Sequence, residues 1–182
     1  MRLSGFLHCT DCPKERFNAL RRHDNLPLFS PGADAGGWQS FTLDDAFRFR
    51  LMLDFLGDSV ADAAYLQGLP PSGAVKIVDN VMPRFDRHPL NFKGSGELWA
   101  GIVVFEEAIE DADPLRSAAW FAGQPSDLSQ WIEDKRTGGH TGKKCEVVRI
   151  FLANASRAAS FVRQRAIDLG LPEGMDFSGT TE

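Results

Sequence analysis

The sequence predicts an α+β protein in which a helix-turn-helix and a hairpin are followed by a small α+β domain. Two patterns carry this. In the first 56 positions apolar residues recur at helical spacing around a tight turn, and from Leu98 onward strand-length and helical apolar runs follow the order β, β, α, β, α, with no internal repeat. Size sets the third constraint: 182 residues, 43% of them hydrophobic, are enough to bury a core in one large domain or two small ones.

Leu3, Phe6 and Leu7 have the spacing of a first short helix, with Thr10-Asp11 offering N-cap chemistry just before Pro13. A second helix is expected from Pro13 to about His23. It is anchored by Phe17 and Leu20, presents Lys14, Arg16, Asn18, Arg21 and Arg22, and is closed by Asn25-Leu26-Pro27. Arg and Lys reach guanine edges or phosphates and Asn pairs with adenine, so this helix has the side chains of a major-groove reader. The Gly-rich loop Ser30 to Gly37 and the alternating Trp38-Gln39-Ser40-Phe41 read as a wing-like hairpin, completing a winged helix-turn-helix. Thr42 is the expected N-cap of a helix running to about Leu56 before Gly57. Its two apolar stripes, Leu43, Phe47, Leu51, Phe55 and Ala46, Phe49, Leu53, Leu56, require burial between layers. A short helix is expected within Gly57 to Leu69.

After Pro70-Pro71 a linking helix is expected from about Gly73 to Met82, ended by Pro83, with an irregular span to Gly96. Leu98 to Phe105 reads as a buried strand, Ala118 to Ala122 as a second, Asp127 to Lys135 as a helix and Val147 to Leu152 as a third strand. Asn154 caps a last helix whose Ala158, Phe161, Val162, Arg165 and Leu169 follow a 3.6 period up to Gly170. The expected division is residues 1–69 for DNA contact, 70–95 as a linker helix and irregular segment, and 96–182 as an α+β dimerisation or effector domain.

Charge supports a division of labour. Lys and Arg total 20 against 25 Asp and Glu, a formal charge of −5, so the chain as a whole is no polybasic coat for nucleic acid. Residues 1–56 hold seven basic and seven acidic side chains, and the rest carries the deficit. Acidic surface repels a phosphate backbone, so contact with nucleic acid belongs to the N-terminal part. No apolar stretch reaches the roughly 18–20 residues of a membrane span, and the three cysteines, Cys9, Cys12 and Cys145, make no fully paired disulfide framework; a cytoplasmic protein is expected. Cys9-x-x-Cys12 lacks the second close pair that structural zinc draws on, and neither metal nor cofactor is expected.

The run Gly37-Trp38-Gln39-Ser40-Phe41-Thr42-Leu43-Asp44-Asp45-Ala46-Phe47-Arg48-Phe49-Arg50-Leu51-Met52 resembles the wing and following helix of MerR-type winged-helix regulators, and Phe17 to Pro27 is similar to that family's recognition helix and its exit. The two matches occur in the family's order and cover roughly residues 1–68. The resemblance implies DNA contact through Lys14, Arg16, Asn18, Arg21, Arg22, Trp38, Gln39 and Arg48. Two departures bear on specificity. Gln39 and Ser40 stand where family wings usually carry Arg, so phosphate affinity from the wing is expected to be weaker or to fall to backbone amides, and Asn18-Ala19 replaces the family's Arg-Tyr pair. The long dimerising helix of most members is not visible, which leaves dimerisation to the C-terminal part.

Ser156 and Ser160 as nucleophiles, His88 and His140 as bases, and Glu106 with Glu107 as a carboxylate pair are framed by no nucleophile elbow, phosphate loop or dinucleotide fingerprint. Gly138 to Lys144 lacks phosphate-loop spacing and reads as a solvated turn, and Trp99, Trp120 and Trp131 read as core. The expectation is therefore a non-enzymatic, dimeric, sequence-specific DNA-binding regulator. Its partners would be double-stranded DNA, a second copy, and a small-molecule or protein effector on the C-terminal domain. A protein-interaction adaptor with a repurposed winged helix, or an enzyme with unrecognised catalytic groups, is the alternative.

Overall fold

The computed structural model describes residues 1–29, 32–33, 39–57, 69–109, 113–138 and 144–171 as a mixed α+β chain. In order come α1 (Leu3–Thr10), α2 (Lys14–Arg22), β1 (Gly32–Ala33), β2 (Gln39–Ser40), α3 (Leu43–Leu56) and α4 (Pro71–Val81). Two 3₁₀ turns (Met82–Arg84 and Pro89–Asn91) lead into β3 (Trp99–Glu107), β4 (Leu115–Gly123), α5 (Pro125–Thr137), β5 (Cys145–Asn154) and α6 (Ala155–Asp168). The short helix expected between Gly57 and Leu69 lies almost wholly outside the described residues. No described helix is long and apolar enough to cross a membrane.

Five phenylalanines organise the N-terminal elements, three from the helices and two from the segments flanking the strand pair. Phe6 of α1 stacks on Phe41, just after β2, with ring centroids 4.3 Å apart, and meets Phe17 of α2 edge-on at 5.5 Å. Phe49 of α3 and Phe29 complete the group at 5.4 and 5.7 Å from Phe6. Such edge-on and offset contacts are the arrangement ring quadrupoles favour. The strand pair β1–β2 is antiparallel, with Gly32 opposite Ser40 and Ala33 opposite Gln39. Beyond it the Phe41 N–H donates to the Met1 carbonyl oxygen at 2.8 Å. Helix α3 opens on a reciprocal cap: the Asp45 N–H donates to Thr42 Oγ1 and the Thr42 N–H to Asp45 Oδ2. It ends at Gly57, whose φ of 74° suits glycine. Seven of the eight stripe residues, Leu43, Ala46, Phe47, Phe49, Leu51, Leu53 and Phe55, are buried, as is Met52, while Leu56 at the end of the helix is half-buried.

Strand β3 is the centre of a three-stranded antiparallel sheet of order β4-β3-β5, with Ile102 opposite both Trp120 and Phe151. Period-two alternation sends its residues to two layers. Ala100, Ile102, Trp120, Ala122 and Ala153 join the large core shared with the helices, while Val103, Phe105, Phe121 and Leu152 pack beneath Leu128, Trp131 and Ile132 of α5. Gly101 is required by the closeness of its neighbour, since a Cβ there would lie 1.9 Å from the Phe151 carbonyl oxygen.

The large core is continuous through residues 6 to 166, so the N-terminal helices and the C-terminal helix bury one another. The side of α6 that does this is its small one, Ala155, Ala158, Ala159, Val162 and Ala166. Ala158 and Val162 of the expected face are on it, but Leu169 is 43% exposed, and the Phe161 ring instead meets the guanidinium groups of Arg50 and Arg165 at 5.1 and 5.3 Å. Alanines let the helix axes approach closely, and the larger residues then fall at the rim, where cations cover an aromatic face. Arg165 also pairs with Asp11 at 3.2 Å, and Arg163 donates to the Leu90 carbonyl oxygen.

Candidate nucleic-acid interface

The turn that aims α2 is made by Asp11 and Pro13. Asp11 takes the left-handed conformation (φ 53°) at the end of α1, and the Asp11 and Cys12 N–H groups close back on the His8 and Leu7 carbonyl oxygens. Pro13, with φ −58°, then stands directly before Lys14. The expected N-cap from Thr10-Asp11 does not form. The Thr10 hydroxyl donates to the Phe6 carbonyl oxygen within α1, and Asp11 serves as that helix's C-cap. The turn is the expected one; the capping is assigned to the other helix.

Phe17 and Leu20 are the buried anchors of α2, as their spacing requires. Lys14, Arg21 and Arg22 are exposed, and Arg16, Asn18 and Ala19 are half-buried. Arg21 lies over the Phe17 ring at 5.9 Å, and Arg22 Nε donates to the Asn18 carbonyl oxygen at 3.3 Å, so both arginines start close along the helix. About two and a half turns of helix thus carry four cations against the single carboxylate of Glu15. Those five candidate residues are brought onto one helix. Of the other candidates, Trp38 lies outside the described residues, and Gln39 is described only as backbone paired with Ala33.

Arg48 is placed differently. Its Nε donates to Asp44 at 2.6 Å one turn earlier on α3, and Asp44 is shared with His88, whose Nε2 lies 2.7 Å from the other carboxylate oxygen. His88 Nδ1 accepts from the Leu90 N–H, which leaves Nε2 to carry the proton toward Asp44. Burial works against the Asp44 carboxylate, but the His88 hydrogen bond and the Arg48 charge outweigh it and hold its pKa below the ordinary carboxylate value. The guanidinium of Arg48 is therefore already balanced by a carboxylate. No sequence signal links Asp44 to His88, forty-four positions apart; only the fold joins them.

Among the catalytic alternatives, Ser156 and Glu106 make structural contacts. Ser156 Oγ accepts from the Leu98 N–H while the Ser156 N–H donates to the Leu98 carbonyl oxygen, fastening α6 to the start of the sheet. Glu106 pairs with Arg116 at 2.8 Å. Cys9 and Cys12 are buried in the large core, and desolvation pushes the Cys9 thiol up despite the opposing charges of the N-terminus and Arg165. Gly139 to Lys143, including His140, lie outside the described residues. Comparison with known protein families, with curated proteins and with solved structures finds no match for this chain.

Proposed function

We propose that this protein is a sequence-specific, DNA-binding transcriptional regulator that acts as a dimer, with α2 as its recognition helix and the β1–β2 hairpin as its wing. The observation that carries this reading is α2 itself: a short helix held to the core by Phe17 and Leu20, with Lys14, Arg21 and Arg22 exposed in a chain of net charge −5. An acidic protein that concentrates cations on one exposed helix has the charge placement that phosphate contact needs. Support also comes from the order helix, helix, two-stranded hairpin, helix in residues 3–56, the order expected from the resemblance to MerR-type regulators. Asn18 and the arginines are the base readers in this reading, and Arg48 contributes less because Asp44 competes for it.

The C-terminal half then supplies self-association and a place for an effector. Two copies on one duplex share the association cost that a single short helix cannot meet. The test is selection of bound fragments from sheared genomic DNA by the full-length protein. The reading expects enrichment of an inverted repeat with half-sites about one helical turn apart. Recovery of fragments without a shared sequence would contradict it.

A further inference from the structure

We infer that the free edge of β4 is the self-association surface, with two copies pairing β4 against β4 antiparallel around a two-fold axis at Ala118. This deepens the dimeric part of the proposed function and stands apart from the DNA reading. Among the described residues β4 pairs only with β3, through nine consecutive register positions without a bulge. Its first four residues, Leu115 to Ala118, are exposed, and Leu115 keeps 53% of its surface in water. An edge that is long, regular and free of proline and lysine is one that pairs with another strand.

The opposite edge is built differently. Strand β5 is bulged at Val148, between its pairings with Val104 and Phe105, and carries exposed Glu146 and Arg149. Bulges and charges are the devices that keep edges unpaired. On β4 the single charge is Arg116, and Glu106 on the neighbouring strand neutralises it at 2.8 Å.

The occupant follows from the strand's own sequence. An antiparallel two-fold at Ala118 sets Ser117 opposite Ala119 of the second copy, Arg116 opposite Trp120, and Leu115 opposite Phe121. Small residues meet at the axis, a cation meets an indole, and an exposed leucine meets a phenylalanine, pairs that stabilise neighbouring strands. The two Arg116 side chains stay roughly 13 Å apart, four residues at about 3.3 Å each. The helical layer reaches Trp120 and Ala122 while Leu115 to Ala118 are bare, so the same axis lays the bare half of each strand beside the covered half of the other. The product is a continuous sheet made from two three-stranded ones.

Sedimentation of the full-length chain tests this with Ala118→Glu, which sets two carboxylates on the axis, and with Ala118→Cys, which allows a disulfide across it. The expected results are a wild-type dimer, a monomeric Ala118→Glu variant with unchanged circular dichroism, and an oxidised dimer from Ala118→Cys but not from Val148→Cys on β5. A monomeric wild type, a dimer that survives Ala118→Glu, or crosslinking through Val148→Cys alone would overturn the assignment. A dimer that behaves as expected but ignores DNA would sink the regulatory reading and leave this interface standing.

Discussion

His88 closes on Asp44 across forty-four positions, its Nε2 lying 2.7 Å from Oδ1, and so fastens the segment before the sheet to the first turn of α3. The carboxylate also takes Arg48 at 2.6 Å, and its side chain is only 17% exposed. Because the folded pKa of Asp44 is depressed, its contribution to stability is full above the unfolded value of about 4 and is lost as pH falls through the folded one. Asp44→Asn should therefore cost about 1–3 kcal/mol at neutral pH, with the difference from wild type closing in acid. Urea melts across a pH series check this; a difference that stays constant down to the lowest pH would contradict it.

Phe6 touches the other four rings of the N-terminal cluster and is fully buried. Its replacement by alanine removes the one contact shared by every N-terminal element and leaves a cavity that rigid neighbours cannot fill. We expect Phe6→Ala to cost about 3–5 kcal/mol and Phe29→Ala less, since Phe29 is only half-buried. Chemical denaturation of both variants gives the ranking; equal losses would show that the cluster has no centre.

Gly101→Ala probes the sheet. The added methyl would sit 1.9 Å from the Phe151 carbonyl oxygen, a backbone atom that can move only by disturbing the β3–β5 ladder. The cost should reach or exceed the upper end of the roughly 1–3 kcal/mol typical of overpacking. A thermal melt of the variant within a degree or two of wild type would mean that the strands are farther apart than described.

Local physics made most elements legible in the sequence. The Thr42 cap, the double stripe of α3, the Phe17 and Leu20 anchors and the β, β, α, β, α order all follow from spacing and cap chemistry, which act over one or two turns. What the spacing left open was long-range. Nothing in Asn154 to Gly170 says that α6 turns its alanines toward α1 and α3, because alanine gives only a weak periodic signal until a partner helix demands close approach. The place of His88 in the Asp44 cluster was likewise hidden, because a contact across forty-four positions leaves no mark in the local spacing. Among the site candidates, the placement of Lys14, Arg16, Asn18, Arg21 and Arg22 on one helix was legible because the apolar anchors Phe17 and Leu20 recur at helical spacing. Asp44 stands four residues before Arg48, a spacing at which ion pairs form along a helix, so only the part played by His88 lacked a local mark.

The shared core also decides what truncation does. Ala155, Ala158 and Val162 belong to the same buried cluster as Phe6 and Leu51, so deletion of residues 90–182 strips one wall from the N-terminal helices. The truncated chain should lose cooperative unfolding rather than persist as a free module, and calorimetry would detect either behaviour. A sharp, independent transition in residues 1–89 would show that the N-terminal helices fold alone.

The central claim, that α2 is the DNA-contacting element, is tested most directly by the salt dependence of duplex binding for wild type and Arg21→Ala/Arg22→Ala. Both side chains are exposed, so the double variant should fold and melt as wild type does. Fluorescence anisotropy on one duplex over a range of salt concentrations gives the logarithmic slope, which counts the phosphate contacts made. The account predicts a steep wild-type slope, a shallower one for the double variant with weaker affinity, and little change for Arg48→Ala, whose charge Asp44 already balances. Identical affinity and slope in wild type and the double variant would contradict it.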